Sequence, residues 1–380
     1  MDRLTIPLPR SERHLVPLVG FGWSMILISL TLAGIGLVAV FSATVASGQP
    51  GRSLVLRQVT WCSMGLVLMA ASLLFDYDVL RRWAGWLYVA VVGALIAAWV
   101  VGKIAGGSQR WLEIGFMRFQ PSEFAKLALV VILARYFADR GGRGNPEPRE
   151  LILPILLTAL PVGLVLVQPD LGTAGVMLLI SLSMIAFAGV GRRALWWGAA
   201  VTVGIGVLIF LVGDHLMMEY QKKRLMTFLN PGDDPLGAGY HILQSQIAIG
   251  SGGVLGKGFL QGTQNQLMFL PVKHTDFVFS ILAEEWGFIG CIAVLGLYLA
   301  LFLCGLGVVG KARDRFGELT AFGCTVMLFW HVTVNVGMVM GLLPVVGVPL
   351  SFLSYGGSSL LAAFLAVAIM VNISMRRFSY

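Results

Sequence analysis

Charge is scarce in this sequence. Asp, Glu, Lys and Arg make up only 12% of its 380 residues, about half the ~25% of a soluble domain. A water-soluble globule of this size could not be coated from that supply. Disorder is excluded from the other side, because disordered chains are poor in apolar residues and this one is 57% hydrophobic. Cysteine is thin as well. Cys62, Cys291, Cys304 and Cys324 all lie in apolar runs without metal-like spacing, and they read as small buried hydrophobes. A P-loop, a paired zinc motif, a dinucleotide fingerprint and a hydrolase elbow are all missing. The first apolar run is too long for a signal-peptide core and no convincing cleavage site follows it, so no cleaved leader is expected.

What the sequence has instead is a succession of long apolar runs and a mean hydropathy of +0.84. These predict an all-α, polytopic membrane protein, a single domain over residues 1–380. The runs are about 17–41, 58–75, 84–102, 120–138, 151–167, 171–190, 194–213, 277–309, 318–341 and 356–374. Basic residues then orient the ten helices. With the N-terminus cytoplasmic, 16 of the 27 Lys and Arg residues fall in inside segments, and every inside loop carries at least two. Both termini are therefore expected inside. The net charge of +8 follows from that placement and calls for no nucleic acid. A large extracytoplasmic loop, about 214–275, contains Lys222, Lys223, Arg224 and a glycine-rich stretch from Gly250 to Gly258. Loops of this length are usually functional.

Ionisable groups at membrane depth are costly and usually paired or functional. Glu123 and Lys126 open the fourth run three residues apart, on one helix face. They are either a self-neutralising pair or a cation held in an outward cavity for an anionic ligand. The segment Lys273-His274-Thr275-Asp276 precedes the eighth run. Asp276 is there a helix cap or a reacting carboxylate, and Thr275 would serve equally well as a cap. Glu284 and Glu285 point about 100° apart on a helix, so one of them is expected to be solvated. An acid, Asp170, sits in the tight turn Gln168-Pro169-Asp170-Leu171-Gly172. Ser354-Tyr355-Gly356-Gly357-Ser358-Ser359 opens the last run, either exposing backbone N–H groups to an anion or making a small-residue helix contact. His331 and Asn335, four apart in the ninth run, read as interhelical hydrogen-bonding groups.

These motifs together resemble the SEDS family (shape, elongation, division and sporulation), in its elongation branch. The resemblance is carried by Arg118-Phe119-Gln120-Pro121-Ser122-Glu123-Phe124-Ala125-Lys126, Gln168-Pro169-Asp170-Leu171-Gly172-Thr173-Ala174, Asp234 to His241, Gly262-Thr263-Gln264, His274-Thr275-Asp276-Phe277 and Pro344 to Pro349 with Ser354 to Ser359. Ser351 departs from a position where the family often has a second proline. The resemblance implies a peptidoglycan glycosyltransferase of the bacterial cytoplasmic (inner) membrane. It would polymerise lipid II beside a class B penicillin-binding protein of the elongation machinery, in contact with membrane lipid. It carries the family's essential acid to Asp276 and its Glu/Lys pair to Glu123 and Lys126. Arg110, Arg224 and Lys273 are further substrate-binding candidates on placement and charge. No cofactor is certain; a divalent cation could share the phosphate charge, and the sequence leaves that open. The rival reading is a lipid II flippase without chemistry.

Overall fold

The computed structural model describes residues 21–45, 51–105, 108–114, 117–140, 148–189, 227, 238–267 and 275–376. Its helices are α1 (Phe21–Val45), α2 (Gly51–Leu74), α3 (Tyr77–Val101), α4 (Pro121–Asp139), α5 (Ile152–Val167), α6 (Leu171–Phe187), α7 (Ala238–Gly252), the single-turn α8 (Thr263–Gln266), α9 (Val278–Val309), α10 (Arg315–Val339) and α11 (Gly357–Met375). Apolar surroundings leave backbone N–H and C=O groups no partners outside the chain, and a helix satisfies them internally. Nine of the ten apolar runs coincide with α1–α6 and α9–α11; the run 194–213 lies outside the described residues.

Seven of the described helices are long and apolar enough to cross a membrane. The two that fall short have evident reasons. α6 has only 17 residues, and α4 carries Glu123, Lys126 and Arg135 within its length. α2 and α3 both begin seven residues earlier than their apolar runs. Polar first turns account for this, and in α3 Asp76 caps the helix by accepting from the Asp78 amide at 3.1 Å.

The fold is not purely helical. Between α3 and α4 the chain makes a small antiparallel sheet, β1 (Lys103–Ala105), β2 (Ser108–Ile114) and β3 (Met117–Phe119), in that order. Its register pairs Ile104 with Gln109 and Leu112 with Phe119. The sheet delivers Arg110, on β2, to the end of the bundle where α4 begins.

Burial identifies the centre. Of the spanning window in α11, 78% is buried, and in α10 61%, against 17% in α2 and 22% in α3. α11 packs on α1, α2 and α10, while α4 packs on α3, α10 and α6. Trp83, Trp86, Ile155 and Phe288 point outwards, as lipid-facing side chains do.

Ion pairs close the end at which α10 begins and α11 finishes. Asp76 pairs with Arg376 and Asp78 with Arg313, both at 3.2 Å. Asp314 caps α10 through the Gly317 amide and accepts from the Tyr77 hydroxyl at 2.8 Å.

Near its start α9 is broken at Gly287, whose φ of 65° and ψ of −164° belong to a region open essentially to glycine alone. The segment following α7 folds over the break. Lys257 and Gly258 donate their amides to the carbonyls of Glu284 and Glu285, each at 3.0 Å. In return Phe288 and Ile289 donate to the carbonyls of Gly253 and Val254, at 2.9 and 3.2 Å. The glycine-rich stretch thus has a structural use: a Cβ on Gly256 would run into the Glu285 carbonyl.

Candidate active site

The sequence-derived candidates assemble at the opposite end of the bundle, where α4, α6 and α11 begin and α10 finishes. Glu123 and Lys126 form an ion pair of 2.8 Å with side chains 2% and 1% exposed. Both charges are thus buried together at this end. Lys126 Nζ also lies 2.7 Å from His331 Nε2 of α10, so the pair bridges two helices. Glu123 Oε2 is buried without a hydrogen-bond partner.

Arg110 reaches the same end by a separate route. Its Nη1 lies 2.9 Å from Asp170 Oδ2. Asp170 also caps α6, accepting from the Thr173 amide at 3.2 Å and from its hydroxyl at 3.0 Å. Gln120 Nε2 ties this carboxylate to α4, contacting Asp170 Oδ2 at 3.4 Å and Ser122 Oγ at 3.1 Å. The Gln120 amide donates to Ser358 Oγ of α11 at 3.0 Å. Asp170 is the member of this cluster that sequence reasoning undervalued. Its signal, an acid in a very tight turn, was visible; its partner 60 positions earlier was not.

Asp276 stands just before α9, partly exposed. The N-cap position of that helix belongs to Phe277, and no side-chain cap is made there. Asn335 Nδ2 donates to the Asp276 carbonyl at 2.9 Å and to the Val348 carbonyl at 2.7 Å. One amide thus binds the acid's backbone to the Pro344–Pro349 loop. A Cβ at Gly347, whose φ is +71°, would lie 3.3 Å from Asp276 Oδ2, so the carboxylate rests over a glycine that leaves it room. His331 thus acts as the interhelical group the sequence suggested, whereas Asn335 ties α10 to the segments before α9 and α11. Arg224 and Lys273 lie outside the described residues.

One expectation is corrected at this end. Neither Glu284 nor Glu285 is solvated, since they are 0% and 3% exposed. Glu284 Oε1 takes Lys257 Nζ at 2.8 Å, the Thr263 hydroxyl at 3.1 Å and the Gln264 amide at 3.0 Å. Glu285 accepts from Ser42 of α1. The folded-over segment covers the face that a bare helix would have turned to water. At the start of α11, Gly357 packs under Trp61 and Ser358 is bonded into the β3–α4 junction. The small residues there make a helix contact.

Chemically, the site offers a partly exposed carboxylate, a buried ammonium and a guanidinium held by its own carboxylate. Among the described residues, no three His, Cys, Asp or Glu side chains converge as a metal site would require.

Comparison with known proteins gives the arrangement its context. Peptidoglycan glycosyltransferase MrdB of Escherichia coli K12 is 42% identical over 354 residues, 93% of each chain. Peptidoglycan glycosyltransferase RodA of Treponema pallidum is 34% identical, covering 94% of this chain and 98% of its own. A solved chain, described under the coordination of polymerization and crosslinking by a peptidoglycan synthase complex, superposes with a TM-score of 0.78 at 31% identity. It covers 94% of this chain and 98% of that one. The crystal structure of the rod shape determining protein RodA of Thermus thermophilus gives 0.70 at 30%, with the same coverage. A family model for FtsW, RodA and SpoVE, described as cell cycle protein, matches residues 23–378. The resemblance first seen in scattered motifs thus extends over nearly the whole length, and the chain belongs to the FtsW/RodA/SpoVE family.

Proposed function

We infer that this protein is a peptidoglycan glycosyltransferase that polymerises lipid II during cell elongation. One observation carries the reading: identity of 42% over 93% of the chain with a glycosyltransferase of that name. The geometry supports it. Glycosyl transfer to a sugar hydroxyl needs a base for that proton and positive charge for a departing pyrophosphate. The acceptor 4-hydroxyl attacks the anomeric carbon of the donor, the bond to the pyrophosphate oxygen breaks, and the hydroxyl proton passes to a carboxylate. Asp276 is assigned as that base, because it is a partly exposed carboxylate whose backbone is pinned by Asn335. Lys126 and Arg110 are assigned to the pyrophosphate, with Glu123 and Asp170 orienting them. Arg224 and Lys273 are assigned to the substrate's charged groups. Preorganised charge of this kind is often the largest single contribution to catalysis.

The proposed setting is the bacterial cytoplasmic membrane. The chain crosses it ten times with both termini inside, and residues 214–275 and the site face outward. The partner is a class B penicillin-binding protein, packed against α9 or α10 and near the outer segment. Outward apolar residues of α9 such as Ile292, Leu299 and Leu303 support that placement.

A flippase without chemistry would carry polar groups along a path through both leaflets. Here the ionisable side chains of the described spans gather towards the two ends of the helices, which favours catalysis at one face. The deciding experiment supplies purified protein in detergent with lipid II alone. Glycan strands are expected. Flipping in vesicles without strands would select the flippase. Repeating the assay with a chelator reads whether a divalent cation shares the pyrophosphate charge.

A further inference from the structure

His331 lies in α10, one turn before Asn335, with only 2% of its surface exposed. Its ring is engaged at both nitrogens: Nε2 at 2.7 Å from Lys126 Nζ and Nδ1 at 3.2 Å from Ser351 Oγ. An ammonium has donors only, so Nε2 must present its lone pair. The imidazole is then neutral with its proton on Nδ1, which Ser351 Oγ accepts. The partners on either side thus fix the tautomer.

Ser351 is itself held in place. Its carbonyl accepts from the Tyr298 hydroxyl of α9. The Leu350 amide beside it donates to Ser354 Oγ at 2.9 Å. A serine here is also the point at which the sequence departs from the proline often found in the family. The hydroxyl makes a contact that proline cannot make, with the ring that touches Lys126.

We propose that His331, oriented by Ser351, is a positioning residue for Lys126: a charge-neutral acceptor that aims the ammonium for the polymerisation step. The proposal rests on the assignment of Lys126 to the pyrophosphate. Lys126 has three N–H donors, and Glu123 Oε1 and His331 Nε2 occupy two. Together these contacts fix the direction of the third. A second carboxylate in place of the imidazole would hold the same geometry but leave the buried cluster net negative, repelling an anionic substrate. An imidazole holds the cation without that charge. Misplacing a charged group by about 1 Å can lower a rate ~10²-fold, so the effect belongs in kcat.

The test compares H331L, H331Q and S351A in the purified full-length protein, measuring kcat and KM for lipid II and Tm in detergent. H331L removes the acceptor and should lower kcat by about 10–100-fold. H331Q places an amide oxygen where Nε2 was and should recover most of that loss. S351A leaves the buried Nδ1–H without its acceptor, so it should lower kcat partway with a modest fall in Tm. Wild-type kcat in H331L overturns the proposal, as does an equal loss in H331L and H331Q, which marks the residue as packing only. Where H331L does not fold, an S351A protein with wild-type kcat overturns it alone. The control arms separate the underlying reading. An inactive wild-type protein, or an E123Q/K126M protein of full activity, sinks the assignment of function or of Lys126 whatever His331 does.

Discussion

At the scale of single residues, the structure changes what the charged pair should do when it is broken. Breaking a buried ion pair from one side strands the other charge, at a cost of about 3–5 kcal/mol. K126M should therefore lose both activity and Tm, because Glu123 stays behind at 1% exposure. E123Q/K126M should recover Tm and remain without polymerase activity; full activity in the folded double variant would reduce the pair to mere neutralisation. Asp276 makes the cleaner test. D276N is nearly isosteric and keeps a hydrogen-bonding oxygen, so stability should fall by at most about 1 kcal/mol. The amide takes no proton, so polymerisation should fall by about 10²–10⁴-fold. Full activity of purified D276N would remove the base assignment. The pair itself could be read in the sequence, because a spacing of three puts two side chains on one helix face. The contacts of Lys126 with His331, and of Arg110 with Asp170, could not. They join residues 205 and 60 positions apart, and no local rule reaches that far.

At the scale of elements, hydrophobicity located the helices and missed what lies between them. Long apolar runs have one way to satisfy their backbone in lipid, hence the agreement at α1–α6 and α9–α11. The sheet at 103–119 was not foreseen, since strands of three to seven residues among glycines leave little alternation to detect. The break in α9 was also hidden, because a glycine in a helical pattern is ordinarily tolerated. Only the segment folded against it shows why Gly287 is there. G287A would place a methyl group on the Gly256 amide and hold alanine at φ 65°. A loss of about 1–3 kcal/mol is expected from backbone strain alone, read as a fall in Tm. At Gly296, in the same helix, an added methyl group would meet nothing within 4 Å, and G296A should leave Tm unchanged or raise it. Equal behaviour of the two variants would mean that the contact at the break contributes nothing.

At the scale of the whole molecule, the positive-inside count and the two ends of the bundle make one joint prediction. The end closed by Asp76–Arg376 and Asp78–Arg313 should face the cytoplasm, and the end with Asp276 the outside. A cysteine at Leu255, 80% exposed, should react with a membrane-impermeant maleimide on intact spheroplasts. A cysteine at Lys311 should react only after permeabilisation. The reverse pattern would invert the protein and place the proposed chemistry on the wrong side for extracellular polymer. Photo-crosslinkers on the outward face of α9 should capture the penicillin-binding protein; capture confined to α1–α3 would contradict the proposed partner face.

The exchange of backbone bonds at the α9 break has a consequence for hydrogen–deuterium labelling. The amides of Lys257, Gly258, Phe288 and Ile289 each end on a carbonyl of the opposite segment. None can be released without parting the two. They should therefore become labelled at a common rate, as one cooperative opening unit, although more than 25 residues of chain lie between the two pairs. An ordinary helix end frays stepwise. Simultaneous loss of protection at these four positions, and its acceleration in G287A, would identify this junction as a latch with a single opening free energy.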